Sequence, residues 1–261
     1  MCAPGKRAMV ALMPDPSAHL PIIIATFLLA GLVKGITGLG LPTVGVGLLS
    51  LVMLPVQAAA LVVVPSLVTN VWQMATGSAL GPLVRRLWPM QASVCLGTWA
   101  GAGLLTGTGA GAASAALGVA LTLYAAAGLS PVRLPRVPGH VEWWLGPAAG
   151  AATGLVTAAT GVFVIPAVPY LQALALERED LVQALGLSFT VSTLALAGSL
   201  AASGALGSQL AGGSLIALLP ALAGMFAGQW VRRMVRPEVF RRCFFAGLLL
   251  LGGYLAVRGL L

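Results

Sequence analysis

Acidic side chains are scarce in this chain: six in 261 residues, against fourteen Lys and Arg. Charged residues make up 8% of the sequence and hydrophobic residues 59%, whereas a soluble domain carries about 25% charge. So few charges cannot cover a water-facing surface, and a soluble globular fold is excluded. None of the six acids (Asp15, Glu142, Glu177, Glu179, Asp180, Glu238) falls in the middle of an apolar run. That leaves no intramembrane carboxylate for a proton relay and no aspartate pair for protease chemistry. His19 and His140 are the only histidines, and Cys2, Cys95 and Cys243 are odd in number and scattered. Neither metal-ligand spacing nor a disulfide framework results, and no cofactor is implied. No His-Glu-x-x-His motif and no phosphate-binding P-loop occurs, so ATP is not an energy source within this chain.

Long apolar runs are what the chain does have. Ten can be marked, at 19–33, 38–54, 58–78, 90–106, 112–129, 143–158, 161–176, 181–203, 210–231 and 243–258. They are continuous rather than alternating with period two, which predicts an all-α integral membrane protein, not a barrel. A crossing needs about 20 residues. The first, second, sixth and seventh runs are short, and each is read either as a crossing or as one arm of a re-entrant hairpin. Residues 1–17, cut by Pro14 and Pro16, read as an uncleaved leader.

The net charge of +8 does not point to nucleic acid, because the basic residues sit in short connections between apolar runs. With the 78–89 connection in the cytoplasm, Lys34, Arg85, Arg86, Arg133, Arg136, Arg178, Arg232, Arg233, Arg236, Arg241 and Arg242 share that side. Only Lys6, Arg7 and Arg258 of the fourteen fall outside. This asymmetry predicts a membrane protein with both termini extracytoplasmic. Its partners are then the lipid bilayer and a small anionic substrate; self-association into a homo-oligomer is left open.

One stretch occurs twice. Gly31-Leu-Val-Lys-Gly-Ile-Thr-Gly38, followed by Leu39-Gly-Leu-Pro42, returns 123 positions on as Gly154-Leu-Val-Thr-Ala-Ala-Thr-Gly161, followed by Val162-Phe-Val-Ile-Pro166. Each copy interrupts an apolar run with small and hydroxyl residues. The chain divides accordingly into a first repeat (18–129), a cytoplasmic linker (130–142) and a second repeat (143–261). Five runs in each half predict inverted repeats, and matched breaks in two halves point to a transporter's substrate site.

At such a break, free backbone N–H groups carry partial positive charge and suit an anion. Gly38 and Gly40 permit close approach to the backbone; Thr37 and Thr160 offer hydroxyls beside Gly161; Lys34 is the only charge in either break. A second polar zone holds Asn70 and Gln73, on one helix face, and at the same offset Ser188 and Ser192, again on one face. Each of these also has a plainer reading. Glycines serve close helix packing and polar side chains serve inter-helix hydrogen bonds, while Lys34 could extend its ammonium to the membrane surface.

The break at 31–42, together with Thr160-Gly-Val-Phe-Val-Ile-Pro-Ala-Val-Pro-Tyr-Leu-Gln172 and Leu181-Val-Gln-Ala-Leu-Gly-Leu-Ser-Phe-Thr190, resembles the TauE/SafE sulfite exporter family over about residues 19–258. The resemblance implies a bacterial inner-membrane permease of about eight crossings for sulfite, sulfonates, thiosulfate or related small organic anions. It maps the family's glycine-rich break onto Gly35, Gly38, Gly40 and Gly161. Leu39 and Leu41 interrupt the first copy, and Phe163 stands in the second where glycine is usual. The function expected is a secondary transporter or facilitator working by alternating access. The alternatives are an anion channel, a non-transporting membrane subunit or a membrane-embedded enzyme, for which no reactive constellation is visible.

Overall fold

In the computed structural model the described residues are 20–107, 109–130, 135–206, 208–232, 234 and 237–261. The expected leader and residues 131–134 of the expected linker lie outside them. Every regular element among the described residues is helical. In chain order these are α1 (Leu20–Thr37), α2 (Leu41–Leu49), α3 (Pro55–Ala75), α4 (Leu80–Ala100), the single turn α5 (Leu104–Gly107), α6 (Ala110–Leu129), α7 (Gly139–Thr160), α8 (Ala167–Ala173), α9 (Arg178–Ala202), α10 (Ser208–Val231) and α11 (Pro237–Leu260).

Each of the ten predicted runs overlaps a helix, and the four short runs differ in the length of theirs. At 1.5 Å per residue, the nine residues of α2 and the seven of α8 reach about 14 and 10 Å, too little for a hydrocarbon core of about 30 Å. Helices α1 and α7 have 18 and 22 residues, enough for the full depth. Six helices (α1, α3, α6, α9, α10 and α11) are long and apolar enough to cross a membrane. α4 and α7 are of similar length but carry charge near their starts. Arg86 of α4 forks onto Glu142 of α7, with N–H···O distances of 2.9 and 2.6 Å. The expected 78–89 connection is shorter than its charge suggested. Only the corner Thr76–Ala79 is non-helical, and Arg85 and Arg86 already belong to α4.

The offset of 123 residues survives in three dimensions: α1 and α7 both end on the repeated Thr, α2 matches α8, and α3 and α9 start at Pro55 and Arg178. Exchanging the halves preserves the main packing partners of the long helices. α1 lies on α10 as α7 lies on α4, α3 touches α10 as α9 touches α4, and the pairs α3–α9 and α6–α11 map onto themselves. The seams match as well, with α4 and α10 offset by 127 residues instead of 123. A Cβ on Gly31 would sit 2.1 Å from the carbonyl oxygen of Ala221, and one on Gly154 would sit 2.3 Å from that of Val94. Backbones this close are how helices gain dispersion energy where lipid is as apolar as the side chains.

Proline inside α3 has its consequences met by a neighbour. Pro65 has no N–H for the carbonyl of Leu61. The hydroxyl of Ser214, on α10, donates to that carbonyl at 2.7 Å and accepts from the N–H of Val64 at 3.2 Å. The backbone carbonyl that the proline leaves without its helical donor is thereby satisfied. Outward faces of α10 and α11 are apolar and exposed, as at Leu215, Leu219, Leu250 and Val257, which suits acyl chains. All six tryptophans are exposed, and all but Trp88 stand within six residues of a helix end, the level at which indoles meet headgroups.

Candidate functional site

The first break is a left-handed step. Gly38 has φ +76° and closes α1, its N–H bonded to the carbonyl of Lys34 at 2.7 Å; Gly40 has φ +98° and caps α2. Only glycine adopts these angles at low cost. The second break repeats the first half of this step: Gly161 has φ +72° and its N–H bonds to Thr157 O at 2.8 Å. The two threonines act alike. Thr37 Oγ1 donates within reach of the carbonyls of Val33 (2.9 Å) and Leu39 (3.0 Å) and accepts from the N–H of Leu39 (3.1 Å). Thr160 Oγ1 donates to Val156 O at 2.7 Å and accepts from the N–H of Val162 at 3.1 Å. Their hydroxyl hydrogens are thus engaged by their own helices, and their contribution is to hold the shape of the break.

Lys34 does not reach for the surface. In the last turn of α1 it is 3% exposed, and it is the one buried charged residue among those described. Its ammonium donates to Oδ1 of Asn70 on α3 and lies 6.0 Å from the centroid of the Phe189 ring on α9. The Asn70 amide donates in turn to Thr193 Oγ1 at 3.3 Å, and that hydroxyl donates to the carbonyl of Phe189 at 2.6 Å. One short chain therefore ties α1 to α3 and α9. Asn70 is the only hydrogen-bond partner of Lys34 among the described residues, so two of its three N–H bonds are uncommitted. Among the described residues no carboxylate pairs with it, and the ion pair of Arg86 with Glu142 is the only one.

Polar groups without partners gather along the same two helices. Ser66, one turn before Asn70, and Ser188 and Ser192, flanking Phe189, are fully buried, and none of the three hydroxyls has a hydrogen-bond partner. Gln73 donates through Nε2 to Val182 O at 2.9 Å while its Oε1 is unpaired. A Cβ on Gly38 would meet that Nε2 at 3.8 Å, so the first break, Lys34, Asn70 and Gln73 form one neighbourhood. The second break does not join it. Gly161 lies against Ala59, where an added Cβ would be 2.7 Å away. Ala59 and Gln73 are fourteen residues apart on α3, about 21 Å along the helix axis. The two breaks thus approach α3 from opposite ends. Phe163, standing opposite Gly40 in the repeat, is buried and packs on Phe189 with ring centroids 5.4 Å apart.

Thr193, Phe189 and Ser66 were not singled out from the sequence. Thr193 and Ser66 had a legible signal, as polar side chains in the apolar runs 65–70 and 188–193, and the 123-residue offset carries Asn70 onto Thr193 and Ser66 onto Phe189. In chemical terms the arrangement is a buried, unneutralised cation surrounded by hydroxyl and amide groups. No nucleophile is paired with a base, and no three His, Cys, Asp or Glu residues converge among the described residues.

The family model described as "Sulfite exporter TauE/SafE" matches residues 23–255. The chain belongs to the TauE/SafE family. No curated relative and no solved structure matches it. Membership in this transporter family, with six helices apolar and long enough to span a bilayer, makes the TauE/SafE chain a multi-pass membrane protein of the transport class. The Lys34 neighbourhood lies inside the matched region.

Proposed function

We propose that the protein is a secondary transporter or facilitator that carries a small sulfur-containing anion, of the sulfite, sulfonate or thiosulfate type, across the bacterial inner membrane. The observation that carries the reading is Lys34, a buried ammonium with one amide oxygen as partner and no counter-charge. Burying a charge is costly unless it is paired. A transported anion supplies the missing charge when it binds. It accepts the two uncommitted N–H bonds of Lys34 and is turned toward the Ser66, Ser188 and Ser192 hydroxyls, which otherwise lack partners. Gln73 and the backbone at Gly38 and Gly40 border the same space, and Thr37 keeps that backbone in its left-handed step. Thr160 and Gly161 serve the opposite end of α3 in the same way.

The transport cycle follows from the repeat. The halves act as inverted repeats with eight crossings, α2 and α8 being the short arms of two hairpins. One hairpin tip closes the path on the cytoplasmic side of the anion, the other on the extracytoplasmic side. Opening one side while the other stays packed gives alternating access. Export is the direction the family's description suggests.

The test is radiolabelled sulfite flux into proteoliposomes holding the purified full-length protein, with thiosulfate and small organosulfonates as competitors. Saturable flux that the competitors reduce, and whose KM Lys34→Met raises, is the expected result. Flux that rises without saturation would make the protein a channel. No flux of any of these anions through folded protein would remove the substrate class.

A further inference from the structure

A second basic group meets a buried, unpartnered hydroxyl far from Lys34. The loop after α2 (Ser50–Leu54), the start of α3, the start of α6 and the end of α11 border an open cavity of about 370 Å³. Arg258, near the end of α11, lines it and donates one N–H to Leu51 O at 2.9 Å. A guanidinium has five N–H donors, so most of its capacity is uncommitted. Ser50 also lines the cavity. It is 4% exposed, and its hydroxyl has no hydrogen-bond partner. Ser114 and Gln57 add two more neutral polar side chains to the wall, and no acidic residue lies in it among the described residues. The N-terminus of the 21-residue α3 opens at the same place, adding the positive end of its dipole. Asn70 is fifteen residues further along α3, about 22 Å away, so this cavity is not part of the Lys34 neighbourhood.

We propose that this cavity is a second, independent oxyanion site, in which Arg258 and Ser50 hold a sulfur or phosphorus oxyanion. A guanidinium is built for such a ligand, because its planar N–H pairs match two oxygens at once. The ligand is either a free anion or the phosphate of an anionic lipid headgroup. On the proposed orientation the cavity faces the extracytoplasmic side. Gly111 and Gly259, which also line the cavity, let α6 and α11 approach closely beside it. A Cβ on Gly111 would be 2.9 Å from the carbonyl oxygen of Gly259.

The experiment uses delipidated full-length protein carrying Lys34→Met, which silences the buried cation. Sulfite and inorganic phosphate are titrated by calorimetry, and dioctanoyl phosphatidylglycerol is followed by native mass spectrometry. At least one of the three probes is expected to bind. Arg258→Gln should weaken it tenfold or more, Ser50→Ala severalfold, and Arg258→Lys less than Arg258→Gln. Binding of sulfite or phosphate identifies a solute site, and binding of the lipid alone identifies a headgroup site; either supports the proposal. If none of the probes binds, or if binding is indifferent to both Arg258→Gln and Ser50→Ala, the proposal is overturned. Ser50→Ala, which only deletes a hydroxyl, keeps the test decisive should Arg258→Gln not fold. Because the Lys34→Met background already lacks the buried cation on which the reading above rests, failure here leaves that reading untouched, and the reverse also holds.

Discussion

Asn70 and Thr193 occupy the same position in the two repeats, 123 residues apart, and are hydrogen-bonded to each other at 3.3 Å. When equivalent positions touch, they lie where the two halves face each other. The symmetry stops one residue further out. Lys34 joins Asn70 from α1, but its counterpart in the second half is Thr157, whose hydroxyl donates to the carbonyl of Thr153 at 2.7 Å. The centre of the molecule therefore holds one cation, offset to one side, and no balancing charge. This makes the role of Lys34 separable from folding. Lys34→Met should raise the KM for sulfite at least about tenfold, since a charge-assisted hydrogen bond contributes about 1.5–3 kcal/mol. The melting temperature of the detergent-solubilised protein should not fall, because an apolar side chain replaces an unpaired buried charge. A lower melting temperature with unchanged KM would assign Lys34 to structure instead.

Asn70 supports the ammonium through a neutral oxygen, and its charge can be changed without changing its shape. Asn70→Asp would place a carboxylate against Lys34 and satisfy it permanently. The expected outcome is loss of sulfite flux with melting temperature kept or raised. Asn70→Leu should lower stability by about 1–3 kcal/mol, the cost of stranding buried polar partners. Flux that survives Asn70→Asp would show that the anion does not compete for this ammonium.

The two breaks share a left-handed glycine but not its surroundings. Gly38→Ala faces mainly the strain of positive φ, about 1–2 kcal/mol, because Gln73 Nε2 is 3.8 Å from the added carbon. Gly161→Ala meets the same strain and also the methyl of Ala59 at 2.7 Å. Gly161→Ala should therefore lower the melting temperature more than Gly38→Ala. Equal melting temperatures would mean that the α3 contact yields freely.

Much of this was legible in the residues. Apolar runs located every long helix, and the offset of 123 matched α1–α3 with α7–α9, because identical Thr-Gly steps end their helices identically. Lys34, Asn70 and Gln73 were found because polar side chains in apolar runs need partners. What was not legible is which groups meet. Gly38 and Gly161 look like two walls of one site in the sequence, yet fold to opposite ends of α3, since a repeat fixes local shape and not the distance between copies. The start of α4 was missed because Arg85 and Arg86 mark a loop on hydropathy, whereas the Glu142 carboxylate allows Arg86 inside a helix.

Gln183 joins the first residues of α9 to the corner between α3 and α4. It is 1% exposed; Nε2 donates to Met74 O at 2.7 Å and Gly77 O at 2.8 Å, while Oε1 accepts the N–H of Ala79 at 2.9 Å. The equivalent residue of the first half is Ala60, which has no such reach, so the opposite end lacks this latch. On the proposed orientation the latch closes the cytoplasmic side. Gln183→Leu should speed amide exchange in a peptide covering residues 76–80 by about fivefold or more, as a buried hydrogen bond contributes about 1 kcal/mol. Hydrogen-exchange mass spectrometry reads this directly, and unchanged exchange would mean that the corner is held by packing alone.

Orientation itself is open to a direct measurement. The basic residues assign Gly139, before α7, to the cytoplasm and Leu261, after α11, to the opposite side. Both are exposed, and an added Cβ at Gly139 meets nothing, so a cysteine at either position is reachable. In a background with Cys2, Cys95 and Cys243 replaced by serine, a membrane-impermeant maleimide should label Leu261→Cys in intact spheroplasts. Gly139→Cys should react only after permeabilisation. Lys34 lies fourteen residues after the start of α1, about 21 Å in, so this orientation puts the buried cation nearer the cytoplasm than the Arg258 cavity. The reverse labelling pattern would turn the whole arrangement over and make the Gln183 latch an extracytoplasmic one.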